Sequence, residues 1–183
     1  MCAPYEDLLR VKGVGPASAS LIRTVADTAR EANLRKIASA PLDDYPRLAM
    51  YATEWFIGKQ AGVVAVILLN DKNQIVHTET LSSSHTIRSA SYAKALETLA
   101  AKHVAYRLVL MHNHANGIMK PSDEDLYLTE QLYDILQEKN ITILEHLIVH
   151  KFDCLPILDQ ALRRRVSGFP VALTPEEVTF LLE

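Results

Sequence analysis

One short apolar run constrains this chain more than any other feature. Val63-Val64-Ala65-Val66-Ile67-Leu68-Leu69 is uninterrupted and rich in β-branched side chains. A run of that length without alternating polar positions suits a strand buried on both faces. Asn70-Asp71-Lys72-Asn73 follows with turn chemistry, and Gln74 to Thr80 reads as a returning strand, so the segment predicts a β-hairpin.

The rest of the chain supplies helices to cover such a sheet. Tyr5 to Arg10 reads as a short helix, Val11 to Gly15 breaks it, and Pro16 starts a second running to about Glu31. Asp43 or Asp44 caps a further helix through Trp55. After a polar connection at Ser82 to Ser84, a helix is expected over Ala90 to Lys102 and a strand over Tyr106 to Met111. A loop from Asn113 to Pro121 leads to a helix starting at Ser122, whose apolar face is Leu126, Leu128, Leu132, Ile135 and Leu136. Ile141 to Val149 is a fourth strand, and Thr174-Pro175-Glu176-Glu177 has the form of a capped helix start. Trp55 and Tyr92 read as core anchors, and Arg163-Arg164-Arg165 as a solvated helix face.

Composition narrows the class. Nearly half of the 183 residues are apolar and 22% are charged, the balance of a globular protein rather than a disordered one. No apolar run approaches the roughly 18 residues of a membrane span. MCAPYEDLLR lacks the basic n-region of a signal peptide. Cys2 and Cys154 are too few for a disulfide framework or a multi-cysteine zinc site, which fits a reducing cytoplasm. The net charge of −3 argues against a basic coat for nucleic acid, although residues 1–40 carry a mild positive excess.

The stretch from Tyr106 to Leu126, YRLVLMHNHANGIMKPSDEDL, carries the chemistry. His112 and His114 stand two apart at the end of a strand, so extended backbone projects both imidazoles to one side. Ser122-Asp123-Glu124-Asp125 opens a helix, where positions i and i+3 share a face, so Ser122 and Asp125 point the same way. Gly117 helps the loop fold that helix start back over the histidines. Two imidazoles and a carboxylate suit a catalytic zinc, which keeps a fourth position for water and lowers its pKa toward about 7. Each half also has a plain reading: two polar residues on a strand, and an N-cap with an acid near the helix dipole. With seven His, ten Ser and ten Asp in the chain, the spacing H-x-H-x7-S-x2-D arises from composition alone in roughly one such chain in a thousand. A zinc deaminase would need His-x-Glu and Pro-Cys-x-x-Cys, which are absent, and His-Asn-His matches HNH nucleases only as a string.

H-x-H-x7-S-x2-D resembles the JAMM signature of JAB/MPN metalloproteases. The longer run HNHANGIMKPSDED, with Leu144-Glu145-His146-Leu147-Ile148 after it, is similar to the RadC branch, whose usual form is HNHPSGxxxPSxxD followed by LDHLI. The resemblance covers about residues 63–150. It implies an α/β fold, a mixed β-sheet sandwiched by helices of the cytidine-deaminase-like kind. It further implies Zn2+ held by His112, His114 and Asp125, with Ser122 stabilising the oxyanion formed on an amide or isopeptide carbonyl. The substrate would be a protein or peptide. The RadC family is customarily labelled as DNA repair.

The match departs from the pattern at one chemically important point. JAMM enzymes use a glutamate at the start of the hairpin's first strand as general base, and the register puts that position at or beside Gly62, in Lys59-Gln60-Ala61-Gly62-Val63. No carboxylate is there, and loss of a general base commonly costs about 10²–10⁴ in rate. Glu54, Glu79 and Glu145 are carboxylates that could substitute, though nothing in the spacing selects one. The family's Pro-Ser after the second histidine is Ala115-Asn116 here, while Gly117 is retained.

At the other end, residues 9–22, LRVKGVGPASASLI, resemble a helix-hairpin-helix element of core pattern hGhGxxxAxxL. Lys12, Gly13, Val14 and Gly15 would meet duplex DNA through backbone N–H groups and the following helix's dipole. Ala19 and Leu21 would pack the second helix on the first. RadC proteins usually carry more helical sequence before this hairpin, which implies a shortened member or a start further upstream. The expected organisation is a helix-hairpin-helix segment (1–40), a helical connector (41–60), a JAB/MPN metal-binding domain (61–165) and a helical tail (166–183). Two functions fit: a zinc-dependent peptide or isopeptide hydrolase, DNA-associated through the hairpin, or a non-catalytic zinc-binding scaffold for DNA or protein.

Overall fold

The computed structural model describes residues 3–59, 62–82, 89–114 and 116–166. In chain order it contains α1 (Tyr5–Leu9), α2 (Pro16–Ala38), α3 (Tyr45–Phe56), β1 (Val64–Leu69), β2 (Ile75–Ser82) and α4 (Ser89–His103). These are followed by β3 (Arg107–His112), α5 (Asp123–Gln137), β4 (Thr142–His150), β5 (Asp153–Pro156) and α6 (Leu158–Val166). No helix of the described residues is long and apolar enough to cross a membrane. The expected helix start at Thr174 lies outside the described residues.

The strands form one mixed sheet in the order β2-β1-β3-β4-β5. All neighbours are antiparallel except β3 and β4, which run parallel, so α5 serves as their crossover. The apolar run falls where its composition requires, in β1, one strand in from the edge. There Ala65, Ile67 and Leu69 face one core and Val66 and Leu68 the other. The first core lies beneath α3, which contributes Leu48, Tyr51, Ala52, Trp55 and Phe56. The second lies beneath α4 and α5, with Tyr92, Leu96, Leu132 and Leu136 among its members. The fold is therefore the expected mixed sheet between helical layers. Burying a side chain the size of Ile67 contributes about 1.5–3 kcal/mol, so these two interfaces dominate the stability of the sheet.

Local chemistry sets the element ends. Asp44 is the cap of α3, its Oδ1 accepting from the Arg47 N–H at 2.7 Å, while Asp43 accepts from the Asn73 side chain at 2.8 Å and ties the hairpin turn to α3. The helix from Pro16 runs to Ala38 rather than about Glu31, because Leu34, Ile37 and Ala38 still have the α3 core to pack against. The short strand β5 has no counterpart in the sequence reading. A four-residue DCLP segment has no alternation to announce it, and only pairing with β4 makes it a strand.

The parity of β3 positions the site. Leu108 and Leu110 face the α4/α5 layer, and His112, two residues on, continues that face at the end of the strand.

Candidate metal centre

His112 is the last residue of β3, opposite Val64 of β1. Beyond it Asn113 pins the chain to the start of β1. Its N–H donates to Val63 O at 3.2 Å, its carbonyl accepts from Gly62 N–H at 3.2 Å, and its Oδ1 accepts from Val63 N–H at 2.8 Å. The chain then turns back sharply, with Gly117 N–H donating to His114 O at 3.1 Å. Gly117 has φ +70°, and a Cβ there would stand 2.8 Å from Cε1 of His150. Only glycine meets both demands without strain. Asn116, where the family has serine, accepts from Ile118 N–H through its own Oδ1 at 2.9 Å, an Asx turn that stiffens the loop without proline. This geometry carries the Ile118 carbonyl to 2.7 Å from His114 Nδ1.

Asp125 arrives from the other side on α5. Ser122 is the N-cap in a capping box: its Oγ accepts from Asp125 N–H at 3.1 Å, and its N–H donates back to Asp125 Oδ2 at 2.8 Å. The Ser122 hydroxyl also donates to Oδ2, at 2.7 Å. Burial alone would raise the Asp125 carboxyl. The two hydrogen bonds that its Oδ2 accepts from Ser122 act against burial, and the net direction is well below the usual carboxylate range.

Donor atoms of three residues converge here. His112 Nε2 and His114 Nε2 lie 2.9 Å apart, His112 Nε2 is 3.2 Å from Asp125 Oδ1, and His114 Nε2 is 3.1 Å from Oδ2. A tetrahedral ion with bonds of about 2.0 Å spaces its ligands roughly 3.3 Å apart, close to these separations. Proton placement agrees. A backbone carbonyl only accepts, so His114 carries its proton on Nδ1 toward Ile118 and turns a bare Nε2 inward. One proton on His112 Nε2 could serve only one of its two neighbours, whereas a cation serves all three residues. The residues fit a metal ion.

Two residues to which the sequence reading gave no role stand behind the site, His146 having been quoted there only within a family motif. His146 of β4 pairs with Leu110 of β3, faces the same layer, and is 3% exposed. Its Nε2 lies 2.9 Å from His112 Nδ1 and its Nδ1 lies 2.6 Å from Thr129 Oγ1. Burial pushes the His146 pKa well below the ordinary histidine value. A polar residue at an inward-facing position of an apolar strand was the available signal. Thr129, fully buried on α5, offered none, since a mid-helix threonine is ordinary.

The candidate substitutes for the missing base are engaged elsewhere. Glu145 Oε1 accepts from the N–H groups of His146 and Leu158, joining β4 to the start of α6. Glu54 lies on α3, in the opposite layer, with Asn33 as its partner at 3.3 Å. Glu79 pairs with His77 at 3.0 Å and sits opposite Val66, two strands and two residues away from His112, roughly 12 Å. Gly62 itself, with φ +74°, lies against Asn113 at the foot of the site. His77, Glu79 and His103 form a second group of donors. The His77 and His103 rings stack at 3.9 Å and 6°, however, so their in-plane lone pairs point along parallel planes that share no ion.

Lys12, Gly13, Val14 and Gly15 lie in the turn between α1 and α2, where Gly13 takes φ +90°. α1 packs on α2, and α2 on α3. Ala19 is fully buried, but Leu21 is 64% exposed, against the expected packing of both on the first helix. Two residues along a helix is a rotation of about 200°, so the two side chains take opposite faces and only one can meet α1.

A family model described as RadC-like JAB domain matches residues 43–161, a span that includes the three ligand candidates, Ser122, Thr129 and His146 but not the N-terminal turn. A UPF0758 protein of Acidovorax ebreus is 29% identical over 161 residues, 87% of this chain and 68% of the relative. A UPF0758 protein of Saccharophagus degradans is 33% identical over 153 residues, 80% of this chain and 66% of the relative. One from Gloeothece citriformis is 29% identical over 145 residues, 79% and 60%. The chain thus spans about two thirds of the length of these curated relatives. With the match covering well over half of its length and the sheet, loop and His/His/Asp group all in place, the chain belongs to the RadC-like JAB domain family.

Proposed function

We propose that the chain holds a zinc ion on His112, His114 and Asp125 and hydrolyses a peptide or isopeptide bond of a protein substrate. The observation that carries this reading is the convergence of two Nε2 atoms, 2.9 Å apart, on the Asp125 carboxylate, each 3.1–3.2 Å from one of its oxygens. Two imidazoles and one carboxylate favour zinc among common ions and leave a position open to solvent or substrate. A zinc ion there would supply Lewis acidity and bring the pKa of water toward about 7. The chain's residues orient the rest. Ser122 fixes the carboxylate with two hydrogen bonds, and turning its hydroxyl away from Oδ2 would free it to donate to the oxyanion of a substrate carbonyl.

A second reading, a zinc-binding scaffold without catalysis, is favoured by Gly62, where the family's base would stand. The left-handed backbone there would cost a glutamate about 1–3 kcal/mol. At the N-terminal turn, contact with a duplex backbone is supported by Gly13 at φ +90° and by the start of α2, which has no side-chain cap over its first N–H groups.

The experiment uses the purified full chain loaded with zinc against a panel of peptides and isopeptide-linked conjugates. Slow cleavage that disappears on chelation and in Asp125→Asn supports the hydrolase. Equal cleavage by Asp125→Asn refutes it, and stoichiometric zinc without cleavage selects the scaffold.

A further inference from the structure

The contacts behind His112 admit one consistent order of protons. The Asp125 backbone carbonyl can only accept, so the Thr129 hydroxyl, 2.5 Å away, donates its single proton there. Thr129 Oγ1 then offers only lone pairs to His146 Nδ1 at 2.6 Å, and Nδ1 must carry a proton. The ring is 3% exposed and burial disfavours its charged form, so Nε2 is bare and accepts from His112 Nδ1 at 2.9 Å. With its proton committed to that bond, His112 turns a bare Nε2 toward His114 and Asp125.

We propose that Thr129 and His146 are positioning residues that lock His112 in its Nδ1-protonated tautomer and so present its Nε2 lone pair to the metal. This rests on the reading of His112 as a ligand. Asp125 and Thr129 are four residues apart on one face of α5, so a single helix supplies one ligand and sets the proton order of another. The order passes from α5 through β4 to β3. Without the Thr129 oxygen, His146 has no acceptor at Nδ1 and gains by moving its proton to Nε2. His112 must then accept at Nδ1 and protonate Nε2, which closes the lone pair to the metal. Losses of this kind typically weaken metal binding 10–100-fold.

The test compares the full chain with Thr129→Val, which keeps the shape and loses the oxygen, and Thr129→Ser, which keeps the oxygen. Nitrogen–proton correlation spectra of the histidine rings report the tautomers in metal-free protein, and competition with a chromophoric chelator reports zinc affinity. The expected result is Nδ1-protonated His112 and His146 in the parent and in Thr129→Ser. Thr129→Val should show an Nε2-protonated His112 and zinc binding weakened by about 10–100-fold. A parent His112 protonated at Nε2 overturns the proposal and needs no variant to fold. So does Thr129→Val with unchanged ring signals and zinc affinity. A parent with the expected tautomers that takes up no zinc overturns the metal reading and leaves the proton order supported.

Discussion

Gly117→Ala tests whether the loop after His114 is as constrained as its geometry implies. The alanine would have to hold φ +70°, a left-handed conformation that costs an L-residue about 1–2 kcal/mol. Its Cβ would also meet His150 Cε1 at 2.8 Å, inside the ordinary carbon–carbon separation of about 3.5–4.0 Å. The imidazole is the movable end of its side chain, so turning it relieves most of the overlap for up to about 1 kcal/mol. The stiffer unfolded chain returns about 0.4–1 kcal/mol. A net loss of about 1–2 kcal/mol follows, a fall in melting temperature of roughly 2–8 °C for a chain of this size. Thermal unfolding of metal-free protein gives this number. A cycle with His150→Ala separates the contact, which the second substitution removes, from the backbone strain, which it leaves. Because the loop delivers the Ile118 carbonyl to His114 Nδ1, zinc affinity should fall about tenfold or more as well. A Gly117→Ala protein that melts with the parent and binds zinc equally would refute the reasoning about this loop.

Three further outcomes are expected. Ser122→Ala removes both the α5 cap and one hydrogen bond to the Asp125 carboxylate, so thermal or urea unfolding should show a loss of about 1–2 kcal/mol; an unchanged midpoint would mean the capping box contributes nothing. Glu145→Gln keeps an oxygen that can accept from His146 and Leu158 but loses its charge, so a cost near 1 kcal/mol is expected with any zinc-dependent cleavage intact; a rate loss of tenfold or more would make Glu145 the missing base. Gly15→Glu sets a negative charge at the start of α2, so fluorescence anisotropy with a short duplex should show salt-sensitive binding by the parent and weaker binding by the variant. Absence of parent binding at low salt would remove the hairpin from the functional account.

By itself the sequence determined the elements whose signals are local. The uninterrupted run at Val63 to Leu69 suits a strand covered on both sides, and the turn residues after it suit a reversal of the chain. His112, His114, Ser122 and Asp125 were legible because strand parity, a glycine-bearing loop and a capping box are short-range chemistry. The structure decided what depends on distant partners. β5 exists because β4 offers an open edge, and α2 continues to Ala38 because α3 receives it. Leu21 points outward because helix rotation gives Ala19 the buried face. Glu145 proved to be a backbone acceptor, a role fixed by where α6 begins. Thr129 reaches His146, and His146 reaches His112, only when β3 and β4 pair in parallel beneath α5, since these two hydrogen bonds join residues that the sequence keeps 17 and 34 positions apart.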